Sequence, residues 1–491
     1  MKMPYVKLDR LLKLAMMMFV LIPGFVQAAG TTSAIRGNIV DGNGNSVAEA
    51  SVVVKDLRTS VERAYSSNAS GTFYAGNLPV GGPYKVTVNG NRSITVQSIA
   101  LGDIYNLTVN MQSQKMEEVI AYGSASEVGD TTSGPSATFS RYDLENAVAF
   151  DRDITEVYTF DPRISLDQDG QSIDCGGKNP RFNSVTLDGI SQNDIFGLNA
   201  NGYSAATGMP FPFDAVEQVS VELAPFDVTF GGFSACNINS VTKRGSSEWE
   251  ATVFYEYTDD GLRGETIDGE ADVTTPDYDE TKWGVSVGGP IIQDKLFFFG
   301  SYEKSDEPRF IGQGFNGSGI GTERDWLTKE NFDLITNIAN DVYNYSPGGA
   351  PSDGTQENEK YMLRLDWNIN EDHSLALIYA YFDGFQDRAS DGDSGEFEFA
   401  NHFYVKGSET ETTTAILSSQ WTDAFSTEIF LSNNTIDDLQ QTRGPGDFGD
   451  FQISVNGRDN VVYLGADDSR QANDLFNETD FFKLVGTYLV G

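Results

Sequence analysis

The sequence predicts an all-β-dominated chain, with a small β-sandwich near the N-terminus and part of an antiparallel transmembrane β-barrel in the C-terminal half. Its 50 glycines, 21 tyrosines and 32 phenylalanines, with only 21% charged residues, suit many turns and aromatic-rich strands. After residue 248, apolar and polar residues alternate with a period of two. The connections between these segments alternate between short and long, which is typical of outer-membrane barrels.

Residues 1–28 have the organisation of a signal peptide. Basic residues precede an apolar run that ends in Val26-Gln27-Ala28, and we expect cleavage after Ala28. The run is shorter than the roughly 20 residues that a membrane-spanning helix needs, so an uncleaved anchor is the weaker alternative. Since no later stretch is long and apolar enough, we expect the mature chain to enter a membrane only as a β-barrel.

The chain is strongly acidic, with a formal net charge of -39. This charge excludes nucleic acid as a partner, because the phosphate backbone would be repelled. We interpret the acidic residues as a solvated exterior that can hold divalent cations rather than as a site for one cationic ligand.

Cysteine and histidine are scarce. Cys175 and Cys236 are the only cysteines, and in an oxidising compartment such a pair is predicted to form a disulfide. Two unpaired buried thiols are the alternative, because pairing geometry cannot be read from sequence. His373 and His402 are the only histidines, and neither lies near a cysteine, so no metal site is expected.

One short motif matches an enzyme signature. Gly392-Asp393-Ser394-Gly395 has the wording of the nucleophile motif of trypsin-like proteases, and both histidines lie nearby in sequence. In that family, however, the His and the Asp precede the Ser at long range, whereas here the motif lies in an acidic loop. No phosphate-binding glycine motif is found either. We therefore expect no enzyme and no cofactor, and keep a secreted hydrolase using Ser394 as an alternative.

Residues 31–113 alternate Val-rich, Ile-rich and Thr-rich runs with Gly, Asn and Pro turns, as in a small β-sandwich. The wording Ile35-Arg36-Gly37, Ser70-Gly71-Thr72-Phe73 and Leu78-Pro79-Val80-Gly81-Gly82-Pro83-Tyr84 resembles the carboxypeptidase regulatory-like domain. This resemblance implies a transthyretin-like sandwich, classed with carbohydrate-binding-like folds, that carries no catalytic residues.

A short extended apolar run follows, flanked by polar, Ser-rich sequence. Such a strand can pair with the sheet edge of another protein through main-chain hydrogen bonds. By its position the run resembles the TonB box, the segment by which the periplasmic protein TonB grips outer-membrane receptors. The candidate contact residues are Glu117, Glu118, Val119, Ile120, Ala121 and Tyr122.

Residues 116–247, which include this box, resemble the α+β plug domain of TonB-dependent outer-membrane receptors. The resemblance rests on the runs 179–190, 216–223 and 237–245, while 191–199 has the wording of the Oar-like subgroup. The motif residues are Arg181, Asp188, Gly189, Gly231 and Gly232. We expect the last two glycines to form a tight turn with positive φ where the chain passes beside a barrel wall. A disulfide between Cys175 and Cys236 would staple plug loops together.

Residues 248–491 predict the first strands of the barrel, with one face toward lipid and the other toward a wet lumen. In one strand Leu363, Leu365 and Trp367 would face lipid, and Arg364, Asp366 and Asn368 the lumen. In the first strand Phe254 breaks the alternation. The eight predicted strands are 249–257, 282–289, 295–304, 360–368, 374–383, 411–421, 426–434 and 480–490.

The connections predict the orientation of this barrel. Those at 290–294, 369–373 and 422–425 are short and are assigned to the periplasm. Those at 258–281, 305–359, 384–410 and 435–479 are long and are assigned to the outside, and the first of them is strongly acidic. Eight strands enclose only side chains, whereas about 22 hold a plug, so we expect the chain to be a piece of a longer receptor.

The resemblance implies a TonB-dependent receptor in the outer membrane of a Gram-negative bacterium, with its N-terminal domain in the periplasm. Its expected partners are TonB, outer-membrane lipid and an unidentified extracellular ligand that binds at the outer loops and the plug. The expected activity is energy-coupled uptake. The alternative from another class is a surface adhesion or assembly protein that binds glycan or matrix and uses the barrel as an anchor.

Overall fold

The computed structural model describes residues 30–102, 104–112, 136–147, 149, 151–167, 172–194, 199–223, 231–262, 266–267, 271–272, 277–391, 393–455, 457, 459–469 and 473–488. The described part is mostly β-structure and has three parts. These are a sandwich (30–112), a domain of residues 136–247 that we call the plug domain, and a large antiparallel sheet that we call the barrel sheet. The predicted signal peptide and the predicted TonB box lie outside the described residues. No helix in the described ranges is long and apolar enough to cross a membrane.

The sandwich is formed by two facing sheets. Its strands are β1 (Thr32–Val40), β2 (Ser51–Asp56), β3 (Glu62–Ser66), β4 (Thr72–Pro79), β5 (Tyr84–Val88), β6 (Arg92–Val96) and β7 (Ile104–Asn110). One sheet has the order β4-β1-β7 and the other β3-β2-β5-β6. Alternate residues such as Val52 and Val54 point into a common core with Ile35, Phe73 and Val86, so the period-two pattern builds the fold here as predicted.

The plug domain combines a five-stranded sheet with short helices. Its elements are β8 (Ser136–Phe139), α1 (Arg141–Glu145), α2 (Ile154–Tyr158), β9 (Ile164–Leu166), β10 (Ile173–Cys175), β11 (Ser184–Leu187), β12 (Ile190–Ser191), β13 (Val216–Leu223) and β14 (Cys236–Thr242). The sheet order is β12-β11-β14-β13-β8, and every residue of its central strand β14 is buried. The observed domain is therefore α+β, as the sequence predicted.

The C-terminal half contains the eight strands of the barrel sheet and the elements inserted between them. In chain order these are β15 (Glu250–Asp259), β16 (Thr266–Ile267), β17 (Ala271–Asp272), β18 (Asp279–Ile292), β19 (Leu296–Arg309), β20 (Gln313–Phe315), β21 (Thr322–Arg324), α3 (Lys329–Tyr343), β22 (Gly354–Asn368), β23 (His373–Arg388), β24 (Glu396–Glu398), β25 (Tyr404–Thr422), β26 (Phe425–Thr442), β27 (Phe451–Ser454), β28 (Val461–Leu464) and β29 (Asn473–Tyr488).

The barrel sheet has the order β15-β18-β19-β22-β23-β25-β26-β29, and each strand pairs antiparallel with the next. The sheet is open, with β15 and β29 at its edges. All eight predicted strands are present, but several extend beyond the predicted bounds at the ends joined by long connections. The added parts, such as 354–359 and 435–442, carry polar residues on both faces. The alternation of apolar and polar residues therefore ends before the hydrogen bonding between the strands does.

The two faces of the barrel sheet differ as predicted. Leu363, Leu365 and Trp367 lie on the exposed outer face, while Arg364 and Asp366 are buried on the inner face. Phe254, the exception in the predicted alternation, lies under a cation of the plug domain: the guanidinium carbon of Arg152 is 3.6 Å from its ring centroid. Phe254 faces inward by its place in the alternation of β15, and there its ring takes part in a cation–π contact.

Aromatic side chains mark two levels on the outer face. Tyr302, Tyr361 and Tyr381 stand side by side in register, and the rings of Tyr361 and Tyr381 stack at 4.7 Å. Trp367 and Trp421 lie near the other end of their strands. At about 3.3 Å per residue, Tyr361 and Trp367 are roughly 20 Å apart along one strand. Two such girdles separated by about 25 Å of apolar surface are typical of outer-membrane barrels.

The connections alternate in length as predicted. Turns at 293–295, 369–372 and 423–424 join strands at one end of the sheet, and the connections at the other end are long. Three of these, 310–353, 389–403 and 443–472, pack together into a unit that we call the loop cap. Its core joins Phe332 of α3 with Phe397, Phe399, Val462 and Leu464. α3 itself begins at the N-cap Thr328, whose side chain accepts from the backbone N–H of Asn331 at 3.3 Å.

Candidate functional site

The plug domain lies against the inner face of the barrel sheet. Their apolar residues form one continuous core, in which Tyr158 and Ile238 of the plug domain share a cluster with Phe299, Met362 and Phe382 of the sheet. The run 201–212 is buried throughout. Two groups of ion pairs cross this interface at two places, one toward each end of the sheet. Further hydrogen bonds join the plug domain to the sheet, such as the one from Nδ2 of Asn199 to Oδ2 of Asp438 at 3.1 Å.

The first place is centred on Arg364 of β22, which is 2% exposed. Its Nε donates to Oδ2 of Asp366 at 2.9 Å, and its Nη1 lies 3.6 Å from Oδ2 of Asp188 in the plug domain. Nη1 also donates to the hydroxyl of Thr242, which in turn donates to Oδ2 of Asp188 at 2.6 Å. A buried cation is thereby shared between a carboxylate of the sheet and one of the plug domain.

The motif Asp188-Gly189 positions this contact. The two residues form the turn between β11 and β12 and have φ values of 49° and 75°, which Gly adopts freely and Asp tolerates better than most residues. The turn directs the Asp188 carboxylate toward Thr242. Oδ1 of Asp188 accepts a hydrogen bond of 3.0 Å from the backbone N–H of Thr242. Asp188 was predicted as a motif residue, but its partner Arg364 was not.

The second place surrounds a cavity of about 160 Å³ between the plug domain and the sheet. Lys282 of the sheet lies 3.0 Å from Oδ1 of Asp151 and 2.8 Å from Oε1 of Glu280. Lys360 lies 3.7 Å from Oδ2 of Asp153. A polar cavity of this size can hold several water molecules, so charges here can exchange protein partners for water.

The sandwich docks beside the short-turn end of the barrel sheet. Gln218 of β13 accepts from the backbone N–H of Leu101 at 2.7 Å, and Arg63 Nε donates to the carbonyl oxygen of Glu371 at 3.2 Å. Val80 and Leu101 pack against Val241 of the plug domain. A cavity of about 680 Å³ separates the two domains around these contacts. The sandwich therefore lies on the side that the loop pattern assigns to the periplasm.

Arg58 connects the sandwich to the plug domain. Its guanidinium donates to Oδ2 of Asp56 at 2.9 Å and to the carbonyl oxygen of Val80 at 2.9 Å, and lies 3.6 Å from Oε1 of Glu217. Burial by itself would raise the pKa of Asp56, but the adjacent Arg58 charge and its hydrogen bonds hold that pKa below the usual value.

Asp56→Asn is expected to lower the free energy of unfolding of the sandwich at pH 7 by about 1–3 kcal/mol, because the charge-assisted bonds to Arg58 are lost. A carboxylate with a depressed folded pKa stabilises above its unfolded pKa, and this contribution disappears as the pH falls through the folded pKa. Deuterium exchange of β5 peptides, corrected for intrinsic rates, should therefore show a smaller loss of protection on acidification in the variant than in the wild type.

Glu62→Gln is the matched control, since Glu62 forms an exposed ion pair with Lys55 at 2.9 Å. Such pairs contribute about 0–1 kcal/mol, so the exchange pattern should barely change. Equal effects of the two substitutions would contradict a special role for the Asp56–Arg58 pair.

The predicted site residues fall in different places. Arg181 is exposed, in the short turn Pro180–Phe182. Cys175 at the end of β10 and Cys236 at the start of β14 form a disulfide, with Cα atoms 6.0 Å apart. Gly232 adopts φ of 77°, and no atom of the described residues lies within 4 Å of a Cβ built there. The positive φ agrees with the predicted turn, and the close passage beside a barrel wall stays a prediction.

Sequence reasoning missed two groupings. A charged pair inside an otherwise apolar strand, Arg364 and Asp366, was assigned to a wet lumen, and the structure places it against the plug domain instead. No cysteine lies near His402 in the sequence, whereas the structure brings His402 together with Asp391 and Asp467. The only available signal for the second grouping was the density of aspartates in the long connections.

Comparisons with known proteins agree with this architecture. The model of the outer membrane beta barrel domain matches residues 241–310, and that of the carboxypeptidase regulatory-like domain matches residues 34–113. The TonB-dependent transporter Oar of Myxococcus xanthus is 26% identical over 380 residues, covering 71% of this chain and 33% of its own length. The chain thus spans about a third of this curated relative.

Two solved structures match part of this chain, and the first of them supports the same fold. The outer membrane transporter YddB from Escherichia coli matches with a TM-score of 0.50 at 14% identity, over 72% of this chain and 46% of that one. The siderophore receptor PirA from Acinetobacter baumannii matches with a TM-score of 0.44 at 14% identity, over 72% and 44%. The domain matches and the curated relative place this chain in the outer membrane of a Gram-negative bacterium.

Proposed function

This chain is similar to the TonB-dependent outer-membrane receptors of the Oar-like subgroup, and on that premise we propose that it takes part in energy-coupled uptake of an extracellular ligand. The ligand binds at the loop cap and at the outer side of the plug domain. TonB engages the periplasmic segment before the plug domain, and the pull opens a path along the barrel sheet. The chemistry is binding and conformational change, without a covalent step.

The observation that carries this proposal is the mixed interface between the plug domain and the barrel sheet. Separating buried apolar surface costs about 25 cal/mol per Å². Ion pairs such as Arg364–Asp188 behave differently, because their mutual attraction is offset by the hydration that they regain when water enters. A plug domain attached partly through such pairs, beside a polar cavity, is held firmly while water is excluded from the interface. It can be displaced once tension from TonB lets water enter that interface.

TonB contact is assigned to Glu117 through Tyr122, which lie outside the described residues, between the end of the sandwich and the start of the plug domain. A segment placed there would transmit tension to β8, the edge strand of the plug sheet. Strand addition requires free main-chain groups, and the small and β-branched side chains of Val119, Ile120 and Ala121 suit it.

Single proline substitutions test this contact. Successive backbone N–H groups of a strand point to opposite edges, so Val119→Pro and Ile120→Pro remove donors from the two edges in turn. At least one of them should weaken binding of the purified periplasmic domain of TonB by tenfold or more in isothermal titration.

Val119→Thr is the control, since it keeps the β-branched shape and the N–H donor and should bind TonB as the wild type does. If both proline variants also bind like the wild type, this segment does not engage TonB. That result would favour the surface-binding alternative, in which the barrel serves as an anchor.

A further inference from the structure

The loop cap brings one histidine and several aspartates together from two separate connections. His402 lies in the turn Ala400–His402, and its side chain is 0% exposed. Asp391 comes from the same connection, 389–403, whereas Asp467 comes from 443–472. One ligand atom from each of these three residues lies within 4.8 Å of the others.

The two ring nitrogens of His402 both lie against oxygen atoms. Nδ1 lies 3.1 Å from the carbonyl oxygen of Gly465, and Nε2 lies 3.2 Å from Oδ2 of Asp391. Both neighbours are acceptors, but a neutral imidazole has one N–H to donate. If Nδ1 carries the proton and donates it to the carbonyl oxygen of Gly465, the lone pair of Nε2 faces the carboxylate of Asp391. Metal-binding histidines have this arrangement: one nitrogen binds the metal, and the N–H of the other donates to a backbone carbonyl.

Hydrogen bonds from neighbouring groups also fix the residues around His402. Oδ1 of Asp467 accepts from the backbone N–H and the hydroxyl of Ser469 at 2.7 and 2.6 Å. The backbone N–H of Asp391 donates to Oε1 of Glu398 at 3.0 Å. Oδ1 of Asp450, in the same connection as Asp467, is buried and has no hydrogen bond among the described residues. Asp391 and Asp467 place two carboxylates around one imidazole, a set whose charge a divalent cation would balance.

We propose that Asp391, His402 and Asp467 bind a divalent cation of the Zn²⁺ class that ties the two outer connections together. One imidazole nitrogen with carboxylate oxygens suits Zn²⁺ better than Ca²⁺, which takes 6–8 oxygen ligands. Tetrahedral Zn²⁺ with bonds of about 2.0–2.2 Å needs ligand atoms roughly 3.3 Å apart. The Nε2–Oδ2 distance of 3.2 Å already meets this, and the ligand atoms of all three residues lie within 4.8 Å of one another. The site is independent of whether the chain acts in uptake.

Equilibrium dialysis against ZnCl₂ tests the site. The full chain, without a polyhistidine tag and stripped with EDTA, should bind one Zn²⁺ that is not displaced by millimolar Ca²⁺. His402→Gln should abolish this binding. Asp391→Asn should weaken it at least tenfold and is the safeguard against misfolding, because the Asp391 side chain is 42% exposed. Bound Zn²⁺ should also slow proteolysis within 389–403 and 443–472.

His373→Gln is the matched control, since His373 is the other histidine and lies at the start of β23, with its ring 5.0 Å from that of Trp421. It should bind Zn²⁺ as the wild type does. Absence of saturable binding by the wild type would overturn the proposal. Equal loss in His402→Gln and His373→Gln would overturn it as well.

Discussion

Arg364→Leu is expected to destabilise the docked plug domain by about 3–5 kcal/mol, because it leaves the carboxylate of Asp188 buried without its cation. Asp366 also loses Arg364 but keeps a second cation, since Nε of Arg244 lies 3.6 Å from its Oδ1. Urea titration followed by tryptophan fluorescence should show the shift, since Trp367 lies three residues away on the same strand. Protease sensitivity of the plug domain at low urea should rise in parallel.

Two further variants separate this effect from a general weakening of the strand. Leu365→Ala changes the next residue, which points to the outer face and is 40% exposed, so the plug domain should stay docked. Adding Asp188→Asn to Arg364→Leu should recover much of the loss, because Asp188 is then uncharged and Asp366 keeps Arg244 as its partner. If the double variant were no more stable than Arg364→Leu alone, the unpaired charge of Asp188 would not be the cause.

Loss of the disulfide is the second large effect. Cys175 and Cys236 are 61 residues apart in sequence, and both are fully buried. Cross-linking a loop of that length restricts the unfolded chain by about 4 kcal/mol in the chain-entropy model. The double variant Cys175→Ala with Cys236→Ala should lose about that much stability, measured by the urea concentration at which the plug domain becomes sensitive to protease.

Reduction provides the internal control for this measurement. Dithiothreitol should move the wild-type midpoint toward that of the double alanine variant, and it should leave the variant unchanged. A wild-type midpoint that does not respond under conditions where thiol labelling confirms full reduction would show that the link contributes no stability. The hairpin of β9 and β10 would then be held to β14 by packing alone.

Much of the fold is readable in the sequence, for a simple reason. A strand between lipid and a protein interior must alternate its side chains, so 363–367 shows its two faces directly. The same rule fails where a strand continues into water, because neither face then needs to be apolar. Residues 354–359 of β22 and 435–442 of β26, at the ends joined by long connections, are therefore predicted as loops. In the structure they are strands held by main-chain hydrogen bonds.

The sites depended on tertiary structure. Asp188 was recognisable as part of a motif, but its contact with Arg364 exists only because the plug domain packs against β22. His402, Asp391 and Asp467 meet because two long connections share the apolar core of the loop cap. Periodicity along a strand determines which face a side chain takes, and that much the sequence determined by itself. Which distant side chain lies opposite depends on how whole domains pack, and only the tertiary structure decides it.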